Sequence, residues 1–239
     1  MKYIYGPVNS RRLGFSLGVS LTPHKTCNLD CLYCQLGKTK ETVNKRQEYV
    51  KIEDILDELK TFVRFNPTTA VKLDYITLSG SGEPTLNSQI SRLIEEVKKL
   101  TGAQVAVITN STLLSDKAVR AELKLADLLV PSLDAADQEI FEKINRPFAG
   151  IKAKDIIDGL ISLREGFKGK IWLEIMLVKG INDDLDHIRK LKAAVDKISP
   201  DKIQINSPVR TTAEAGVLAV EPKKLEEIKK IFGPKAEII

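Results

Sequence analysis

All three cysteines of this chain fall within one segment of eight residues, as Cys27, Cys31 and Cys34. The other 231 residues contain none. A disulfide framework would require an even and dispersed set of cysteines. Three thiolates in the order Cys-x3-Cys-x2-Cys can instead converge on one soft metal centre. Two centres fit these residues, namely an iron–sulfur cluster or a zinc ion that takes His24 as its fourth ligand.

Small and polar residues follow several apolar runs and form a second group of candidates. Residues 79–84 read Ser-Gly-Ser-Gly-Glu-Pro, in which the glycines would let a ligand approach the backbone closely. Asn110 follows a later run, and Ser132 and Asp134 follow the next one, on one side of it because strand side chains alternate. Each has a structural alternative, since the loop and Asn110 can serve a turn and Asp134 can cap the next helix.

These candidates would be positioned by an alternating series of strands and helices. Apolar runs predict six strands, at residues 16–21, 73–78, 105–108, 127–131, 171–178 and 202–205. Helical periodicity predicts helices at residues 52–65, 88–100, 116–125, 136–144, 153–164, 184–198 and 222–232. Such alternation yields parallel strands joined by crossover helices, and six β/α units predict an open, partial barrel. We expect residues 1–239 to form one α/β domain that binds its ligands at the carboxyl ends of the strands.

The segment Cys27-Asn28-Leu29-Asp30-Cys31-Leu32-Tyr33-Cys34 resembles the cluster loop of radical S-adenosylmethionine (radical SAM) enzymes. Their pattern is Cys-x3-Cys-x-aromatic-Cys, and Tyr33 fills the aromatic place. The resemblance covers nearly the whole chain, and it implies a radical SAM core with a partial (β/α)6 TIM barrel and a cluster loop at residues 24–36. Residues 81–86, 132–135 and 179–183 resemble a branch of small iron–sulfur oxidoreductases related to wyosine-tRNA synthases and to the first enzyme of molybdenum-cofactor synthesis.

The resemblance implies two cofactors, one [4Fe–4S] cluster held by the three cysteines and SAM bound to its open iron. No cysteine remains for the second cluster that the related enzymes carry. The residues implied in SAM binding are Gly80, Ser81, Gly82 and Glu83 at the methionine ammonium, Tyr33 at the adenine, Asn110 at the carboxylate or ribose, Ser132 and Asp134 at the ribose hydroxyls, and Met176 at the adenosine. Glu83 has the alternative role of bracing the loop.

The implied reaction is reductive cleavage of SAM to a 5′-deoxyadenosyl radical, which abstracts hydrogen from a substrate. A compact barrel without a lid suits a macromolecule such as an RNA or a partner protein. A reducing electron donor such as flavodoxin or ferredoxin would supply the electron. The alternative is a non-catalytic interaction module that binds zinc or a cluster.

Charge adds a hint about the ligand. The net charge is +5, and the whole excess lies in residues 1–50, which hold 8 Lys or Arg and 3 Asp or Glu. This excess is too small and too local for a protein that coats nucleic acid, but it favours an anionic ligand near that segment. The candidate anion clamps, with surface ion pairs as their alternative, are Arg11, Arg12, Arg146 and Arg210. Glu174 interrupts an apolar strand and is either a ligand contact or half of an ion pair.

Targeting and membrane signals are weak in this sequence. No apolar run approaches the roughly 20 residues that span a bilayer. Residues 1–7 lack the apolar stretch of a signal peptide. We therefore expect a cytoplasmic location and no membrane partner.

Overall fold

The computed structural model describes residues 1–10 and 12–239, so Arg11 lies outside the described residues. In these residues one sheet contains eight strands in chain order, which are β1 (Ile4–Ser10), β2 (Gly14–Ser20), β3 (Tyr75–Ser79), β4 (Gln104–Thr109), β5 (Leu128–Pro131), β6 (Lys170–Met176), β7 (Lys202–Asn206) and β8 (Ala236–Ile238). β1 is antiparallel to β2, and every later pair is parallel. β1 and β8 are the free edges of the sheet, which confirms the predicted α/β fold with an open, partial barrel.

Amphipathic helices follow the strands and pack on the outer face of the sheet. They are α1 (Ile52–Phe65), α2 (Pro67–Ala70), α3 (Ile90–Thr101), α4 (Lys117–Leu123), α5 (Gln138–Asn145), α6 (Ala153–Gly166), α7 (Leu185–Ile198) and α8 (Pro222–Phe232). Aspartate side chains cap the first turns of α4, α5 and α7, at Asp116, Asp137 and Asp184. No helix within the described residues is long and apolar enough to cross a membrane.

β1 and β8 add two strands to the six that the sequence predicts. β1 contains Gly6 and Pro7, which weaken a strand pattern, and a proline is accepted there because β1 is an edge strand. β8 has three residues, too few for an alternating pattern to be recognised. The two strands matter for function because they border the open side of the barrel.

The inner face of the barrel is polar above an apolar floor. Leu17 and Val19 of β2 point outward and are fully buried under the helices. Ser16, which precedes Leu17, points inward, and its Oγ lies 2.6 Å from Oγ1 of Thr77 on β3. The floor is an apolar cluster formed by Leu13, Ala106, Leu128 and Val130. The barrel therefore encloses a space that presents hydroxyl groups.

Candidate active site

The cysteine loop connects β2 to α1 and lies across the carboxyl ends of neighbouring strands. Thr26 in this loop forms a parallel bridge with Gly82, which follows β3. The Glu83 N–H donates to the Thr26 carbonyl oxygen at 3.0 Å. The loop carries three free, partly buried thiols, which are Cys27, Cys31 and Cys34. The cysteines thus occupy the rim that the sequence predicts for them.

Each cysteine sulfur accepts a hydrogen bond from a different part of the chain. The pairs are Asn110 Nδ2 with Cys27 Sγ at 3.5 Å, Asn145 Nδ2 with Cys31 Sγ at 3.3 Å, and Lys25 Nζ with Cys34 Sγ at 2.9 Å. N–H donors around thiolate ligands orient them and tune the redox potential of an iron–sulfur centre. The donor set therefore fits three cluster-binding thiolates.

Burial governs the protonation of the thiols. It raises the pKa of Cys27 to about 11, with the nearby Glu83 carboxylate adding to the shift. Burial also raises the pKa of Cys31. Both groups are therefore neutral thiols at pH 7, and only a bound cation would convert them to the thiolates that ligate metals.

The spacing of the thiols bears on the choice between a cluster and a zinc ion. Among the described residues, no three His, Cys, Asp or Glu side chains form a group that could hold a single metal ion. His24, the fourth ligand proposed for zinc, is exposed. A four-iron cluster binds each thiolate at a different iron, so its ligands stand farther apart than those of one ion.

Gly82 lies against the cysteine loop itself. A Cβ atom at this position would overlap the Thr26 carbonyl and would lie 2.8 Å from Thr22 Oγ1. Backbone contact with the loop therefore accounts for the glycine. The sequence attributes Gly82 to close approach of a ligand, and the structure gives a different physical reason.

Glu83 is buried, with 2% of its surface exposed, and its carboxylate accepts hydrogen bonds from protein groups. Thr85 N at 3.0 Å, Thr85 Oγ1 at 2.6 Å and Thr109 Oγ1 at 2.6 Å donate to Oε1, and Asn110 N at 2.7 Å donates to Oε2. Burial raises the pKa of this carboxyl, and the four donors oppose that shift. Glu83 thus braces the ends of β3 and β4, which is the alternative that the sequence left open, and its contact with the SAM ammonium stays a prediction.

Asp134 is the centre of a second buried network. It accepts hydrogen bonds from the Tyr33 hydroxyl, from Asn145 Nδ2 at 2.8 Å and from Met176 N at 2.9 Å. Burial raises the pKa of Asp134 to about 6, against the opposing effect of these donors. The alternative role for Asp134 as a helix cap is wrong, because Asp137 caps α5.

The structure distributes the predicted SAM residues over two cavities. A narrow cavity of about 20 Å³, roughly the space of one water, is lined by Tyr33, Asn110, Ser132 and Asp134. A cavity of about 700 Å³ in the barrel lumen is lined by Gly80 and Ser81. Met176 is buried on β6, next to the first group. Gly82 and Glu83 line neither of these two cavities.

Sequence reasoning missed three polar residues that shape this site. Lys25 and Asn145 donate to cysteine sulfurs, and the fully buried Asn28 accepts from Asn110 Nδ2 at 2.7 Å. Asn28 stands inside the cysteine motif and Lys25 stands two residues before it, so their positions offered a clue. Asn145 lies 114 residues from its cysteine and has no comparable signal.

The sequence model of the radical SAM superfamily matches residues 21–191, which include the cysteine loop and most of the barrel. The chain belongs to the radical SAM superfamily. Enzymes of this superfamily use SAM and an iron–sulfur cluster and generally need an electron donor. This radical SAM protein is accordingly a SAM-dependent enzyme.

Two relatives and two solved structures extend the comparison. A protein of Brachyspira hyodysenteriae named GTPase Obg is 40% identical over 99% of this chain, and the match spans 34% of that protein. A UPF0026 protein of Methanocaldococcus jannaschii is 34% identical over 100% of this chain and 73% of its own length. The crystal structure of a radical SAM methyltransferase from Sphaerobacter thermophilus matches 94% of this chain and 65% of its own, with a TM-score of 0.72 and 14% identity. Streptococcus suis SuiB bound to S-adenosylmethionine matches 93% of this chain and 49% of its own, with a TM-score of 0.67 and 16% identity.

These matches set the level at which function transfers. At 14% and 16% identity, the two structures establish a shared fold. The chain spans about a third of the first relative and two thirds or less of the two solved chains. The reaction on a substrate therefore has to be argued from this chain's own residues.

Proposed function

We propose that this protein binds one [4Fe–4S] cluster through Cys27, Cys31 and Cys34 and cleaves SAM reductively. The observation that carries the proposal is the set of three free thiols in one loop, each with its own N–H donor. Three thiolates leave one of four irons without a protein ligand. The chain has no further cysteine for a second cluster. When bound, the cluster supplies the electron for the cleavage of SAM.

The protein's own residues position the cofactors and exclude water. The loop is fixed on one side by its bridge to Gly82 and on the other by the Leu29 bridge to Pro147. Gly80 and Ser81 line the lumen just after β3, where their polar groups would accept hydrogen bonds from the SAM ammonium. In this proposal the SAM nucleoside approaches Tyr33, Asn110, Ser132, Asp134 and Met176.

The remaining parts of the proposal follow from the cluster. Residues 1–239 act as a single domain, and a flavodoxin or ferredoxin serves as electron donor. The cytoplasm is the proposed compartment, because free thiols persist where the environment is reducing.

The test is anaerobic reconstitution with iron and sulfide. We expect a brown protein with about four irons and four sulfides per chain. Each of the variants Cys27→Ala, Cys31→Ala and Cys34→Ala should lose most of the iron and keep the wild-type circular dichroism spectrum. With dithionite and SAM, the reconstituted wild type should form 5′-deoxyadenosine.

His24→Ala is the matched control, because it removes the ligand that only a zinc site would need. It should leave the iron content unchanged. Full iron content in any single cysteine variant, or a colourless wild type with one tightly bound zinc, would refute the cluster assignment.

A further inference from the structure

The large cavity has walls from both edges of the open barrel. Tyr5 and Val8 of β1 line one side, and Asn206 and Ile239 line the other. Its volume of about 700 Å³ lies in the range of pockets for small molecules. Gly80 and Ser81 also line it, so a ligand in the lumen would lie beside the proposed SAM site.

The walls of this lumen are rich in hydroxyl groups. Parallel barrels are usually filled by branched apolar side chains. Here the lining hydroxyls come from Tyr5, Ser10, Ser16, Thr77, Ser79 and Ser81. Two pairs of them are in contact, Tyr5 with Ser79 and Ser16 with Thr77, each at 2.6 Å. A hydroxyl has one donor and two acceptor sites, so each pair keeps free capacity for a polar ligand.

The charges around the lumen favour an anion. Its lining includes Arg12 and Arg210 and, among the described residues, no Asp or Glu. The charge of Arg12 is neutralised by Glu174, whose Oε2 lies 2.7 Å from a guanidinium nitrogen of Arg12. Asn206 Nδ2 donates to the other carboxylate oxygen of Glu174 at 3.2 Å. Arg210 is exposed and donates to the neutral Gln35 at 3.2 Å. The guanidinium of Arg210 is therefore a cation of the lining that no Asp or Glu side chain of the lining neutralises.

We propose that the lumen binds, as substrate, a small anion that carries several hydroxyl groups. The inference rests on the proposed function, because the cofactors make the lumen a reaction site. Arg210 binds the anionic group, and the wall hydroxyls bind the ligand's hydroxyl groups. Glu174 limits the affinity by neutralising Arg12. This differs from the macromolecular substrate expected for a barrel without a lid.

The experiment titrates four small probes, and separately a short single-stranded RNA, into the cluster-loaded full chain by calorimetry and ligand-observed NMR. Ribose 5-phosphate and gluconate are hydroxyl-bearing anions, one a phosphate and one a carboxylate. Ribose lacks the charge, and inorganic phosphate lacks the sugar hydroxyls. We expect at least one of the two anions to bind about tenfold more tightly than both ribose and inorganic phosphate. The iron content of the same sample reports the cluster separately, so failure of the proposed function would be seen independently.

Two variants with opposite expected signs test the charge argument. Arg210→Gln should weaken binding of the preferred anion about tenfold, because it removes a charge-assisted hydrogen bond. Glu174→Gln keeps the side-chain shape, frees Arg12 and should strengthen binding several-fold. Arg189→Gln is the control, since Arg189 pairs with Asp186 on the exposed surface of α7 and should leave binding unchanged.

The outcomes separate the ligand classes. If neither ribose 5-phosphate nor gluconate binds more tightly than ribose, the proposal is overturned. Weaker binding after Glu174→Gln, in a variant that melts like the wild type, would also overturn it. A loss in Arg189→Gln equal to that in Arg210→Gln would also overturn it, because the effect would be general electrostatics. Binding of a short single-stranded RNA without binding of either small anion would favour a macromolecular substrate instead.

Discussion

The substitution Glu83→Gln distinguishes two roles of Glu83, which are bracing the ends of β3 and β4 and contacting the SAM ammonium. The Glu83 carboxylate accepts all its hydrogen bonds from protein groups. One of these groups, the backbone N–H of Asn110 at 2.7 Å, can only donate. A glutamine can keep its oxygen at the Oε1 position, which accepts the bonds from Thr85 and Thr109. Its NH2 group then faces the Asn110 N–H, and two buried donors meet. An unsatisfied buried donor costs about 1–3 kcal/mol. Glutamine is neutral, so the variant no longer buries a charge, and this offsets part of the cost. We therefore expect a decrease of about 1–2 kcal/mol in the free energy of unfolding.

The assay is urea unfolding of the apoprotein at pH 7.5, followed by a SAM titration of the reconstituted protein. Glu226→Gln is the control, because Glu226 is an exposed partner of Lys229 on α8 and should change the free energy of unfolding by less than about 0.5 kcal/mol. A bracing Glu83 predicts a lower free energy of unfolding and a SAM affinity within roughly threefold of wild type. Unchanged stability with a loss of SAM affinity of about tenfold or more would refute the reasoning and would assign Glu83 to the ammonium.

Three further changes test other contacts. Lys25→Met should lower the cluster's reduction potential by roughly 50 mV in a titration followed by EPR, because Lys25 places a positive charge beside Cys34. Lys25→Arg keeps the positive charge and should leave the potential unchanged. Asp134→Asn tests a pH dependence, because burial raises the pKa of Asp134 to about 6 in the folded state. Between about pH 4 and pH 6, the Asp134 carboxyl therefore holds its proton more tightly in the folded wild type than in the unfolded chain. The stability of the wild type relative to Asp134→Asn should therefore fall by on the order of 2 kcal/mol from pH 4 to pH 7, measured by urea unfolding of the apoproteins, and a constant difference would contradict the shift. Gly82→Ala should prevent iron uptake because its Cβ meets the cysteine loop, whereas Gly102→Ala meets open space and should cost only about 1–2 kcal/mol for its left-handed backbone.

The repeating part of the fold could be predicted from the sequence because it depends on local patterns. Apolar periodicity predicted six of the strands, and α1 and α8 begin and end at the predicted residues. β1 and β8 could not be found in this way. An edge strand with a glycine and a proline, and a strand of three residues, are stabilised mainly by pairing with β2 and β7. Pairing is a tertiary effect that a local pattern does not contain.

The candidate site likewise combines features that a local sequence pattern predicts with features that depend on tertiary contacts. The cysteines, the following loop and the strand-end residues are recognisable because their spacing is local. The physical role of each was less accessible. Gly82 was attributed to a ligand and contacts the Thr26 backbone. Asp134 was predicted to bind the ribose hydroxyls of SAM, and in the structure its carboxylate accepts hydrogen bonds from Tyr33 and Asn145. Such roles depend on contacts between residues far apart in sequence, which only the folded chain defines.

The places in the fold of the residues that donate hydrogen bonds to the cysteine sulfurs also determine the order of folding and cluster binding. Asn110 lies at the end of β4, and Asn145 is the last residue of α5. The pocket for the three thiolates is therefore complete only after these elements have packed. The main apolar core extends over the strands and helices and has Cys27 and Cys31 only at its margin. A small metal-dependent domain without such a core is unfolded until its metal binds. Here the apolar core can form first and present the cysteines, so folding should not require the cluster.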